Sequence, residues 1–164
     1  YALQLQTAGL MGFFYCGIFP GLTVHVLRME NGSTWLFGLL AIVFTGDTFA
    51  YLTGRFFGKR KLLEAVSPKK TVEGCLGGLG GSAVAGLVLG LFFLHDQPLW
   101  ALVLTALVTG LFAQVGDLFE SLLKRIADVK DSGAIMPGHG GILDRVDGVL
   151  FAAPIYYVLA RFLH

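Results

Sequence analysis

Residues 117–147 read DLFESLLKRIADVKDSGAIMPGHGGILDRVD, and they interrupt an otherwise apolar chain. This stretch holds six of the chain's eleven acidic residues, four basic residues and a histidine. Charged residues make up only 14% of the whole, far below the roughly 25% of a soluble domain. Charge beside lipid is expensive, so such a cluster in a membrane protein marks chemistry or transport. The apolar stretches on either side of it are of bilayer-spanning length. The chain therefore reads as an all-α, polytopic integral membrane protein, a single membrane domain over residues 1–164.

Working outward, five stretches approach the roughly 20 residues that a crossing needs: 7–27, 34–53, 76–94, 99–119 and 142–162. The second is apolar except for Thr45, Asp47 and Thr48 near its end. The third carries Gly78, Ser82, Gly86 and Gly90 at a spacing of four. That spacing puts small residues on one helix face, where backbones approach closely. The face packs spans within one subunit or joins two subunits. The fifth stretch contains Pro154, a candidate kink. Cys16 and Cys75 fall in or beside spans without a spacing motif and read as small apolar fillers. No charged n-region precedes the first apolar stretch, so no signal peptide is expected.

The connections alternate. Residues 28–33 and 95–98 are short and nearly neutral. Residues 54–73 carry six basic residues against Glu64 and Glu73, and residues 120–141 carry Lys124, Arg125 and Lys130. Short loops rich in Lys and Arg stay on the cytoplasmic side. Both polar segments are therefore expected in the cytoplasm. Asp47, Asp117, Asp144 and Asp147 then fall near the cytoplasmic ends of their spans. Carboxylates at the membrane edge suit an enzyme with one soluble and one lipid substrate. A cation-coupled transporter would instead place ionisable groups near the midplane.

Asp117, Glu120, Ser121 and Lys124 share one helix face at i, i+3, i+4 and i+7. Asp144 and Asp147 share another. Hard divalent cations such as Mg²⁺ take oxygen ligands, usually one or two carboxylates plus substrate phosphates. Asp117 and Asp144 are the first candidates, with Glu120 and Asp147 second. The bland alternative is interfacial ion pairing with Arg125 or Arg145. Pro137–Gly141, PGHGG, reads as a loop whose glycine N–H groups suit an anion, with a helix N-terminus following it. His139 contacts phosphate or base, or only caps that loop. Ser67-Pro68-Lys69-Lys70-Thr71 reads as a phosphate-binding turn, two hydroxyls beside two ammonium groups. No G-x-x-x-x-G-K-[ST] loop is present, which leaves a P-loop NTPase unsupported. The basic run has no accompanying reader fold, so no nucleic-acid partner is expected.

Ser121-x-x-Lys124-Arg125, then Lys130-Asp131, then Pro137-Gly138-His139-Gly140-Gly141-Ile142-Leu143-Asp144-Arg145-Val146-Asp147 resembles the signature of the phosphatidate cytidylyltransferases, the CDP-diacylglycerol synthases. Upstream, Asp47, Ala50-Tyr51, Gly54, Phe57-Gly58-Lys59 and Ser67-Pro68-Lys69-Lys70-Thr71-x-Glu73-Gly74 resemble that family's first polar segment. The resemblance covers nearly the whole chain. Family members are longer, so it implies the C-terminal, catalytic portion of a longer protein. It implies CTP and phosphatidic acid as substrates, CDP-diacylglycerol and pyrophosphate as products, Mg²⁺ with a second, monovalent cation such as K⁺, and a homodimer. The expected location is the bacterial cytoplasmic (inner) membrane, active site toward the cytoplasm. Asp117, Asp144, Asp147 and Lys124 are the expected catalytic residues. Ser67, Lys69, Lys70, Thr71, Ser121, Arg125, Lys130, His139 and Arg145 are the expected substrate contacts. A CTP-dependent lipid kinase of the polyprenol type is the runner-up. The intact PGHGG-x-x-DR-x-D block argues against it.

Overall fold

In a computed structural model, the structure describes residues 12–64, 66–126 and 143–163, apart from the side chains at 15, 16 and 143–145. A π-helical turn, Phe14–Ile18, leads into α1, Phe19–Leu27. There follow α2 (Gly32–Phe57), β1 (Lys61–Leu63), β2 (Ser67–Thr71), α3 (Val72–Phe92), α4 (Leu99–Ile126) and α5 (Leu143–Leu163). The fold is all-α but for one small hairpin. Among the described residues four helices are long and apolar enough to cross a membrane: α2, α3, α4 and, from Val146, α5. The stretch expected to cross first begins at residue 7, outside the described residues.

α4 runs beyond the apolar span that ends at residue 119, as the shared helix face of Asp117, Glu120, Ser121 and Lys124 implies. It continues to Ile126, because the polar turns still satisfy their backbone groups helically and Glu120 and Lys124 pair at i, i+4. Residues 54–73 are not a plain loop. α2 runs on to Phe57, and β1 pairs antiparallel with β2, Lys61 opposite Thr71 and Leu63 opposite Ser67. The segment Ser67–Thr71 is thus a strand, not a turn.

α3 lies between α2 and α4, and α5 packs against α4. The small-residue stripe makes this possible. Gly78, Ser82, Gly86 and Gly90 are all buried. Ser82 Oγ donates to the Ile42 carbonyl at 3.2 Å, and a Cβ on Gly86 would stand 2.5 Å from Ala106 Cβ and 2.9 Å from the Leu102 carbonyl oxygen. The stripe therefore packs spans within one chain. In lipid, such close van der Waals packing and interhelical hydrogen bonds replace the hydrophobic drive.

The buried cluster joins Trp35, Leu39 and Ile42 of α2 to Leu89 of α3, Leu102 and Ala106 of α4, and Ala152, Ala153 and Tyr156 of α5. The outer faces carry large exposed apolar groups such as Phe37, Phe44, Trp100 and Phe162, as lipid-facing surfaces do. Tyr156, 1% exposed, donates its hydroxyl to the Trp35 carbonyl at 2.8 Å, and the two rings meet edge to face. Tyr156→Phe keeps the ring and removes this α5–α2 bond. It is expected to cost about 1 kcal/mol, seen as a lower thermal unfolding midpoint in detergent. An unchanged midpoint would mean that ring packing alone holds the two helices.

Candidate active site

A cavity of about 470 Å³ opens at the hairpin end of the bundle, walled by α2, β2, the start of α3, and α4. Its size suits a small ligand such as a nucleotide. From α2 come Asp47, Tyr51 and Arg55, four apart and so on one face. Arg55 Nη1 donates to the Tyr51 hydroxyl at 3.1 Å. From β2 come Lys69, Lys70 and Thr71; from α4, Gln114, Asp117 and Leu118.

The hairpin is held rather than loose. Thr71 caps α3, its Oγ1 accepting from the Gly74 N–H at 3.1 Å. Glu73 accepts from the backbone N–H groups of Lys59 and Arg60 at 3.0 and 3.1 Å. Arg125 Nε donates to the Val66 carbonyl at 3.3 Å, tying α4 to the turn. β2 is thereby set against α4, and Lys70 Nζ reaches Asp117 Oδ2 at 2.6 Å. One turn earlier, Gln114 Nε2 donates to the Cys75 carbonyl at 3.1 Å.

Behind this wall lie two buried carboxylates, Glu120 and Asp147, 3% and 8% exposed. Lys124 pairs with Glu120 at 2.5 Å, a partner other than the Arg125 or Arg145 of the ion-pair alternative. Asp147 is within electrostatic reach of Asp117, Glu120 and Asp47. α4 and α5 come close there because Gly116 has no side chain: a Cβ would overlap that of Phe151.

Of the sequence-derived residues, Asp47, Lys69, Lys70, Thr71 and Asp117 come together in the cavity wall. Ser67, Ser121, Lys124 and Arg125 are not among its lining residues. Lys130, His139 and the PGHGG loop lie outside the described residues. Asp144 and Arg145 sit in the first turn of α5, their side chains outside the description. Sequence reasoning did not single out Arg55 or Gln114 as site residues. A signal existed for each: Arg55 follows Asp47 and Tyr51 at a spacing of four, and Gln114 is a polar residue one turn before Asp117.

The cavity wall offers two carboxylates, Asp47 and Asp117, and a hard cation such as Mg²⁺ takes oxygen ligands of that kind. Among the described residues no group of three or more His, Cys, Asp or Glu side chains could by itself hold a metal ion.

Lysines and carboxylates converge in a cavity at one end of a bundle whose helices are long and apolar enough to cross a membrane. The chain belongs to the cytidylyltransferase family, whose model matches residues 2–163. It is 44% identical over 150 residues to a phosphatidate cytidylyltransferase of Staphylococcus saprophyticus, covering 92% of this chain and 57% of that protein. Phosphatidate cytidylyltransferases of Staphylococcus haemolyticus and Staphylococcus aureus are 41% and 42% identical, with the same coverage. The chain thus spans little more than half the length of these curated relatives.

Proposed function

We propose that the protein of which this chain is part transfers the cytidylyl group of CTP to phosphatidic acid, giving CDP-diacylglycerol and pyrophosphate. A phosphate oxygen of the lipid attacks the α-phosphorus of CTP, and the bond to the β-phosphate oxygen breaks. The nucleophile is already anionic, so no protein nucleophile and no strong general base are required. The difficulty is bringing anions together, which fixed positive charge relieves. The observation that carries the reading is the convergence of Lys69, Lys70 and Asp117 in one cavity at the end of the apolar helices.

In this reading Lys69 and Lys70 neutralise nucleotide phosphates, with Ser67, Thr71, Ser121, Arg125, Lys130, His139 and Arg145 as further contacts. Asp117 and Asp144 would hold Mg²⁺, with Glu120 and Asp147 in support, and Lys124 fixes Glu120. The same carboxylates would also serve a second, monovalent cation such as K⁺. Bound Mg²⁺ would neutralise the transferring phosphates. The proposal includes 7–27 as a fifth crossing, the hairpin on the cytoplasmic side of a bacterial inner membrane, and this chain as the C-terminal catalytic part. It also includes a homodimer, whose seam is not the glycine stripe.

The test uses the full-length protein in detergent with Mg²⁺, phosphatidic acid, and CTP labelled at either the α or the γ phosphorus. Label in lipid from α-labelled CTP supports the transfer. Label only from γ-labelled CTP would make it a lipid kinase, and none from either would sink both. Within the same assay, Lys70→Ala is expected to lower kcat/KM about a hundredfold, equally for CTP and dCTP. A loss confined to CTP would move Lys70 from phosphate to ribose.

A further inference from the structure

The hairpin has a second face that the cytidylyl transfer does not use. Leu62 lines the cavity and is half-buried, whereas its neighbours Lys61 and Leu63 are exposed. Lys59 and Arg60, just before them, are exposed as well. These three consecutive cations are held in place. Glu73 pins the backbone of Lys59 and Arg60, and Lys61 Nζ donates to the Pro68 carbonyl at 2.5 Å.

Beside them stand large apolar groups: Phe56, 71% exposed, and Phe57, 69% exposed, end α2, and Leu63 is 50% exposed. This is where two apolar spans give out, the depth of lipid headgroups. Exposed rings at that depth are placed to enter the bilayer surface, and the adjacent cations then lie level with the phosphates. Arg55, Lys69 and Lys70 belong to the cavity wall; residues 56–68 between them carry three basic residues against one acidic, a net +2, complementary to an anionic leaflet.

We propose that Lys59, Arg60 and Lys61, flanked by Phe56, Phe57 and Leu63, form a binding surface for the headgroup phosphates of anionic bilayer lipids, separate from the cavity. The inference rests on the chain's being membrane-embedded. It adds to the proposed function that the class of lipid gathered outside the cavity wall includes the substrate proposed for the inside.

The experiment places full-length protein in phosphatidylcholine bilayers containing traces of spin-labelled phosphatidylglycerol, phosphatidic acid or phosphatidylcholine, and measures the fraction of each label immobilised on the protein. The wild type is expected to prefer both anionic lipids. K59Q/R60Q/K61Q is expected to lose that preference by at least roughly fivefold, the effect of about one basic residue near an anionic surface. Its thermal unfolding midpoint should stay unchanged. If the triple variant is unstable, K59Q and R60Q singly should each show part of the loss. An unchanged preference in these variants, or loss only in K69Q/K70Q, would overturn the proposal. So would abolition of the wild-type preference by inorganic phosphate, which would mark a free-anion site. None of these readouts needs turnover, so they stand whether or not the cytidylyl transfer occurs.

Discussion

Asp117→Asn is expected to lower kcat of the full-length protein about a thousandfold while leaving it folded. The change keeps the side chain's shape and removes only its charge. Asp117 is the one carboxylate of α4 that faces the cavity, and it is half-exposed there, 2.6 Å from the Lys70 ammonium. In the proposed reaction it has two tasks: to hold the cation, and to set the lysine that meets the nucleotide. Asparagine offers a weak neutral oxygen for the first and nothing charged for the second. The assay is CTP-dependent formation of CDP-diacylglycerol across a Mg²⁺ titration. Near-normal turnover at limiting Mg²⁺ would remove Asp117 from the metal role. Loss of kcat without any change in Mg²⁺ dependence would leave it only the task of orienting Lys70.

The second large effect is on the scaffold. Gly86→Leu drives a four-carbon side chain into a contact where even a first carbon would meet Ala106 Cβ and the Leu102 backbone. A backbone atom cannot rotate out of the way, so α3 and α4 must separate. Overpacking of a tight core costs about 1–3 kcal/mol, and the upper end is expected here. The thermal unfolding midpoint in detergent should fall well below that of Gly80→Leu. Gly80 is on the same helix, but a Cβ there meets nothing within 4 Å. Equal midpoints for the two variants would mean that the stripe does not hold α3 to α4.

The spans of this fold were legible because hydropathy is a local property. Twenty apolar residues announce a crossing whatever they touch. The end of α4 was legible in part: hydropathy stops at residue 119, and the spacing of Asp117, Glu120, Ser121 and Lys124 carries the helix onward, where Glu120 and Lys124 pair across four residues. The hairpin was hidden. Lys61–Leu63 is too short for alternation to be visible, and Ser67–Thr71, with its proline and two lysines, has the composition of a turn. It is a strand because residues four to ten positions earlier pair with it, which its own composition does not announce. The same limit divides the site. Lys69, Lys70 and Asp117 stood out as charges in an apolar chain. That Lys70 meets Asp117 depends on how β2 is set against α4, which no spacing along the chain encodes. The glycine stripe was visible as a face, but the identity of its partners, α2 and α4 rather than a second subunit, came only from packing.

α4 makes three separate attachments along its cytoplasmic half of the proposal's membrane: Gln114 to the Cys75 carbonyl, Asp117 to Lys70, and Arg125 to the Val66 carbonyl. All three are teeth on one rack. A helix turns about 100° and advances about 1.5 Å per residue, so one residue lost between Gln114 and Asp117 would swing the last two teeth out of mesh together. The length of this segment is therefore as constrained as its chemistry. A substitution there removes one tooth and leaves the others in register, whereas an insertion or deletion shifts them together, so the gauge of the site is set by a count of residues.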